Sequence, residues 1–270
     1  SGFGRLRGLA RQGEVLGVQP GQQLPGLHPL ARIHRPLQQL AADPETQGRL
    51  GAGPHIAGVF GGAGEAAGAH LEQWSQDLAD TAEAAERLAR WLHSLHAPGL
   101  DSATLINNAG VIPRIGPLDD CPPEDLANAL RVGLEAPMQL CAAFLGATEH
   151  WGIPRKVLNI SSGLGRNAMA SQAGYCAAKA GMDHFTRCMA LDEALKPHGA
   201  KVCALAPGVI DTDMQVQLRG AATAAFPDQA RFAQLKEKGL LSSATQAASQ
   251  VLAFLARPDF GEQAVADVRG

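Results

Sequence analysis

The chain has 270 residues, of which 46% are hydrophobic and 18% charged, with a formal net charge of −3. That length suits one large α/β domain with a substantial core, and so even a charge balance gives no sign of a polyanion-binding surface, so nucleic acid is not an expected partner. Cys121, Cys141, Cys176, Cys188 and Cys203 form no C-x-x-C pair, and no long apolar run or basic-then-hydrophobic leader occurs; reduced thiols in a soluble, cytoplasmic protein with no membrane contact are expected.

Residues 1–55 are rich in Gly, Pro, Gln and Arg, and Pro20, Pro25, Pro29, Pro36, Pro44 and Pro54 break any sustained periodicity. Few regular elements fit there beyond a short strand at 14–18 and a helix at 36–42. From about residue 70, helix-like apolar spacing alternates with short apolar runs of strand length, the texture of a parallel sheet covered by helices. The spacing predicts a helix over 81–95, a strand over 103–107 and a helix over 123–147. A strand over 156–161, a long helix over 172–196 and a strand over 201–206 follow. The chain closes with a helix over 243–256 and a strand over 264–268. Between them, the polar segment 215–240, interrupted by Pro227, suits either a mobile lid or an exposed packing helix.

Three strand ends carry candidate chemistry. In Thr104-Leu105-Ile106-Asn107-Asn108-Ala109-Gly110 an apolar strand ends in two amides and two small residues. Open α/β sheets place ligands at such ends, although an ordinary strand-to-turn signal looks the same. The second apolar strand delivers Ser161 and Ser162 to its C-terminal edge, and thirteen residues after Ser162 comes Tyr175, the one tyrosine, with Lys179 four residues later. On a helix this spacing puts phenol and ammonium on one face. A free phenol has a pKa of about 10, and a neighbouring cation is expected to lower it. Tyr175 would then protonate a carbonyl oxygen as hydride arrives at the carbon, with Ser162 holding that oxygen. A surface Tyr–Lys pair and a loop serine bonding its own backbone are the bland alternatives. The third strand runs into Pro207-Gly208-Val209-Ile210-Asp211-Thr212-Asp213-Met214, which either covers the same edge or simply turns the chain. His93 and His96 belong to no H-E-x-x-H, and no Cys/His set has zinc spacing, so no metal is expected.

Taken in order, Asn107-Asn108-Ala109-Gly110, then Ser162, Tyr175 and Lys179, then Pro207-Gly208 with Thr212 resemble the short-chain dehydrogenase/reductase family over roughly residues 70–270. The resemblance implies a doubly wound, Rossmann-like parallel sheet and hydride transfer between a carbonyl and a nicotinamide cofactor. It implies Ser162, Tyr175 and Lys179 as the catalytic set, with Ser162 and Tyr175 also contacting substrate. Asp77 and Leu78, Asn107, Ala109 and Gly110, and Pro207, Gly208, Val209 and Thr212 would contact cofactor, as would Tyr175 and Lys179. Lys179 would bond the ribose and Thr212 the carboxamide. Within the family, Tyr175-Cys176-Ala177-Ala178-Lys179-Ala180, Ala206-Pro207-Gly208-Val209-Ile210-Asp211-Thr212-Asp213-Met214-Gln215 and Leu235-Lys236-Glu237-Lys238-Gly239 are similar to the sepiapterin-reductase-like and benzil-reductase-like members. That similarity favours NADP(H) over NAD(H) and sets Asp267 beside the pterin-anchoring aspartate as a substrate residue. The helices over 123–147 and 172–196 are the family's dimer surface, which implies a homodimer or homotetramer.

Two departures from the family pattern stand out. Val132-Gly133-Leu134 replaces the usual Val-Asn-Leu, and no Thr-Gly-x-x-x-Gly-x-Gly turn precedes residue 70. Gly2 and Gly4 are similar to the tail of that turn, with 14–18 as a second strand, while the glycines of 61–68 after the apolar run 56–60 form a rival phosphate loop. Residues 1–69 are therefore expected to be an atypical segment lacking a normal first βαβ unit, through truncation, an altered reading frame or degeneration. A second function follows from the same departure: a catalytically silent member that binds no dinucleotide and serves as a partner subunit.

Overall fold

The computed structural model describes residues 15–16, 19–20, 56–61, 70–95 and 100–270, with side chains from residue 74 onward. Gly2, Gly4, the expected helix at 36–42 and the glycines of 62–68 lie outside the described residues. Strands β1 (Val15–Leu16) and β2 (Gln19–Pro20) both run antiparallel to β5 (Leu100–Asn107), Val15 opposite Asn107 and Pro20 opposite Leu100. This corrects the expectation of a second parallel strand at 14–18. The register shifts between Gln19 and Pro20, where proline has no N–H to give the ladder.

The apolar run 56–60 becomes β3 (Ile56–Gly61), paired antiparallel with β4 (His70–Ser75) in a separate two-stranded sheet. Gly61 thus stands opposite His70 inside a strand pair. The element that follows the glycine cluster is a strand, and a phosphate cradle needs a helix N-terminus there. Among the described residues, no helix N-terminus stands at this position.

From residue 70 onward the expected alternation is present. Helix α1 (Thr81–Ser94) begins at Asp80, whose carboxylate accepts from the Glu83 amide, and it buries Ala84, Leu88 and Leu92 along one face. Strand β5 then pairs parallel with β6 (Arg155–Ile160), β6 with β7 (Lys201–Ala206), and β7 with β8 (Val265–Asp267). Successive side chains point to opposite faces. Leu105, Val157 and Val202 meet α1 and the helices before and after β6, whereas Ile106, Leu158, Cys203 and Leu205 meet Leu252, Leu255 and Phe260. Both faces are covered, which is why these strands read as nearly continuous apolar runs. Each fully buried side chain of the Phe144 or Leu158 kind contributes roughly 1.5–3 kcal/mol of burial.

One expected element is broken. The helix over 123–147 is three pieces: α2 (Pro123–Leu130), a π-helical turn (Arg131–Glu135) and α3 (Ala136–Thr148). Gly133 lies in the π turn, and a Cβ on it would stand 3.0 Å from the Ala178 Cβ of α4 (Ala173–Ala194). The absent side chain lets the wider turn press against α4 between Tyr175 and Lys179. Two helices, α5 (Asp213–Gly220) and α6 (Gln229–Glu237), flank Pro227 in the segment expected to cover the site. The last helix, α7 (Ala244–Leu255), opens with a Ser243/Gln246 capping box. Among the described residues no helix is long and apolar enough to cross a membrane.

Candidate active site

The parallel register brings Asn107, Ile160 and Ala206 to one edge of the sheet, where the three expected motifs meet. A cavity of about 690 Å3 opens there. Its sheet side is formed by the turns after β5, β6 and β7, including Ala109, Gly110, Ser162, Pro207, Gly208 and Val209. Tyr175 and Lys179 enter it from α4, and Thr212 and Gln215 enter it from the segment opening α5. Met169, Leu218, Phe232 and Leu235 give its outer side an apolar wall.

Asn107 is buried beneath this cavity. Its Nδ2 donates to Asn159 Oδ1 at 2.8 Å, and Asn159 donates in turn to the Thr186 hydroxyl at 2.9 Å. The amide therefore fastens β5 to β6 and β6 to α4, while its neighbours Asn108, Ala109 and Gly110 face the open space. Asp77 and Leu78 do not line the cavity. Asp77 accepts from the Ala79 amide at 2.9 Å, and Leu78 is core, packed with Leu88 and Leu105.

Ser162 follows β6 in extended conformation, and its hydroxyl accepts from the Leu164 amide at 3.2 Å. Tyr175 and Lys179 share one face of α4, with the Lys179 Nζ 5.8 Å from the phenol ring centroid. That ammonium donates to the Ile160 carbonyl at 2.7 Å, which holds it at the end of β6. Burial pushes the Tyr175 phenol up to about 12, against the pull of its hydrogen bond with Ser162. Burial also brings Lys179 down to about 8, against the charge of Asp183. The sequence expectation that the cation lowers the phenol is thus reversed: both groups sit out of water, and desolvation is the largest cause of each shift.

Behind the pair lies a layer that spacing alone did not single out. Asp183, one further helical turn along α4, is buried and accepts the Ser161 hydroxyl proton. Its second oxygen lies 3.9 Å from Arg166 Nε, and Arg166 also donates to the Ser162 and Ala266 carbonyls. Gly165 permits this closeness, since a Cβ there would meet the Asp183 carboxylate at 2.7 Å and the Lys179 carbonyl at 2.9 Å. The four-residue periodicity Tyr175, Lys179, Asp183 was the available signal for Asp183. Asp267 also takes an unexpected role. Its two carboxylate oxygens are bound by Arg269 at 2.8 and 2.7 Å, and Arg269 lines the cavity while Asp267 does not.

The sequence pattern of the short chain dehydrogenase family matches residues 61–222. The benzil reductase ((S)-benzoin forming) of Bacillus cereus is 36% identical over 186 residues, 69% of this chain and 75% of that protein. The sepiapterin reductase of Xenopus tropicalis is 30% identical, over 68% of this chain and 69% of its own length. In fold, a short-chain dehydrogenase/reductase of Saccharomyces cerevisiae superposes with a TM-score of 0.61 at 22% identity, covering 73% of this chain and 76% of that one.

Proposed function

The chain belongs to the short-chain dehydrogenase/reductase family and acts on the CH–OH/C=O couple, and from that premise we propose that it reduces a ketone or cyclic carbonyl with NADPH through Ser162, Tyr175 and Lys179. The observation that carries this reading is the convergence of all three side chains on one cavity at the strand ends. The described residues fit the nicotinamide-ribose end of the cofactor. Gly110 adds no side chain to the cavity beside Lys179, and Lys179 and Thr212, which line it, would hold the ribose and the carboxamide. Bound there, the cofactor would supply the hydride for the carbonyl carbon.

The protein's own part is to hold the carbonyl and deliver a proton. Ser162 bonds the substrate oxygen and turns it toward Tyr175. With its phenol pushed up to about 12, Tyr175 is fully protonated at neutral pH and is a proton donor in reduction. As its Oη proton passes to the substrate oxygen, negative charge develops on the phenol, and the adjacent Lys179 cation stabilises it. Met169, Leu218 and Phe232 exclude water from that step.

The pH dependence follows from Lys179. Below about 8 it is a cation and supports the developing phenolate; above that value it is neutral and the support is lost. Ketone reduction is expected to be flat from pH 6 to 7.5 and to fall as pH rises through about 8, and initial rates in overlapping buffers check this. A rate that climbs across pH 8 would contradict the assigned role.

The antiparallel pairing of Val15–Leu16 with β5 favours a second reading, a silent member without dinucleotide binding, since that pairing occupies the edge of β5 with chain running the opposite way. Titrating the protein with NADPH and following nicotinamide fluorescence separates the two. Saturable binding below millimolar cofactor is expected, and none at millimolar cofactor removes the reductase reading. The reductase reading takes the protein as a homodimer or homotetramer through α2–α4, where Leu191 on α4 and Leu195 just past its end are 71% and 87% exposed.

A further inference from the structure

Among the described residues, five buried side-chain atoms have no hydrogen-bond partner: Asn107 Oδ1, Gln172 Oε1, Asp183 Oδ2, Gln215 Oε1 and Arg219 Nη1. Gln215 is the one of these residues that also lines the cavity. The residue is 8% exposed, and its Oε1 has no hydrogen-bond partner within the protein. Buried amides are normally satisfied, and one left open in a cavity wall points to a ligand that completes it.

The surroundings indicate which ligand. Gln215 and Leu218 lie three residues apart on one face of α5. Leu218 is packed with Phe226, Phe232, Ile112 and Met169, the apolar wall on the outer side of the cavity. Gln215 is therefore a polar residue beside the apolar wall, carried on α5, whereas Ser162 stands at the end of β6.

We propose that Gln215 selects the substrate, its Oε1 accepting a hydrogen bond from a hydroxyl or N–H carried by a carbonyl compound whose remaining surface is apolar. This rests on the carbonyl-reduction reading above. A site built to pair a donor rejects the analogue lacking it, because the buried acceptor is then left open again. Shape alone does not give that discrimination, since an apolar pocket barely distinguishes a hydroxyl from a methyl group of the same size.

The test uses the full chain with NADPH and two ketones of matched size, 2-hydroxyacetophenone and propiophenone, which differ in a hydroxyl against a methyl. The hydroxyketone is expected to have the higher kcat/KM by about tenfold to a hundredfold. In Gln215→Met, similar in length but without the acceptor, that ratio is expected to fall to near one. Gln215→Glu, which keeps an acceptor at the same reach, is expected to retain most of it, and retention also shows that the position tolerates change without unfolding. A ratio near one in the unsubstituted protein, or a preference that persists in Gln215→Met, overturns the proposal. So does equal slowing of both ketones with weaker NADPH binding, which places Gln215 on the cofactor. If neither ketone is turned over, the reductase reading fails on its own account, and calorimetric binding of the two ketones then decides: equal affinities overturn the role of Gln215, and a preference lost in Gln215→Met supports it.

Discussion

Tyr175→Phe is expected to lower the turnover of an aromatic diketone by about a thousandfold, within the range a positioned proton donor contributes, while NADPH affinity stays nearly unchanged. The substitution removes one oxygen from a side chain that is 9% exposed and otherwise packed, so the cavity keeps its shape. What is lost is the donor itself. Ser162 would still hold the substrate oxygen, but its hydroxyl accepts from Leu164, and an aliphatic alcohol is a far weaker acid than a phenol. Single-turnover rates at saturating NADPH measure the chemical step apart from binding. Turnover within tenfold of the parent would remove Tyr175 from the role of acid, and a parallel collapse of NADPH affinity would make its contribution one of cofactor binding.

The second large effect concerns stability. Arg155 opens β6 with its guanidinium fully buried, donating to the His198 carbonyl at 2.9 Å and the Leu145 carbonyl at 3.2 Å, and lying 3.5 Å from the Glu193 carboxylate. It thereby joins the start of a central strand to the ends of α3 and α4. Glu193 accepts in addition from the Ala200 amide and Lys196, both at 2.7 Å. Burial works against the Glu193 carboxylate, yet these partners outweigh it and hold the group below its usual range. Arg155→Met keeps the bulk and removes the charge and donors. It leaves a buried carboxylate short of a partner and two carbonyls open, which costs about 3–5 kcal/mol when one side of a buried pair is removed. Urea denaturation with an unchanged slope and a midpoint lowered by that loss divided by the slope is the expected result. A loss under about 1 kcal/mol would show that water or rotation of Lys196 replaces the arginine.

The same substitution bears on the site indirectly. Strand β6 ends at Ile160, whose carbonyl holds Lys179, and Ser162 follows two residues later. A strand anchored at its first residue by Arg155 presents its last residues in fixed register with β5 and β7.

How much of this was legible in the sequence depends on how local the cause is. Alternation of apolar strands with helix-period segments marked the sheet and its helices from residue 70 onward, because the pattern of burial repeats within each element. The Tyr175–Lys179 spacing named two residues of one face because helical geometry is local, and the strand ends at Asn107, Ser162 and Pro207-Gly208 were visible as apolar runs stopped by small and polar residues. Gly133 was visible as a departure, but not its consequence. That a π turn forms there and packs on Ala178 depends on a helix forty residues away.

What only the tertiary structure decided are the quantities set by distant neighbours. The direction in which Tyr175 and Lys179 shift depends on how much water the folded chain removes from them, and spacing along a helix carries no information about that. The placement of Asp267 under Arg269, the position of Asp77 outside the cavity, and the open amide of Gln215 are likewise products of packing between elements far apart in the chain. The sequence by itself determined the family and set Ser162, Tyr175 and Lys179 apart as candidates, because periodicity and motif order are properties of the chain. Burial, charge compensation and the unsatisfied acceptor belong to the fold, because each is a sum over neighbours that only folding brings together.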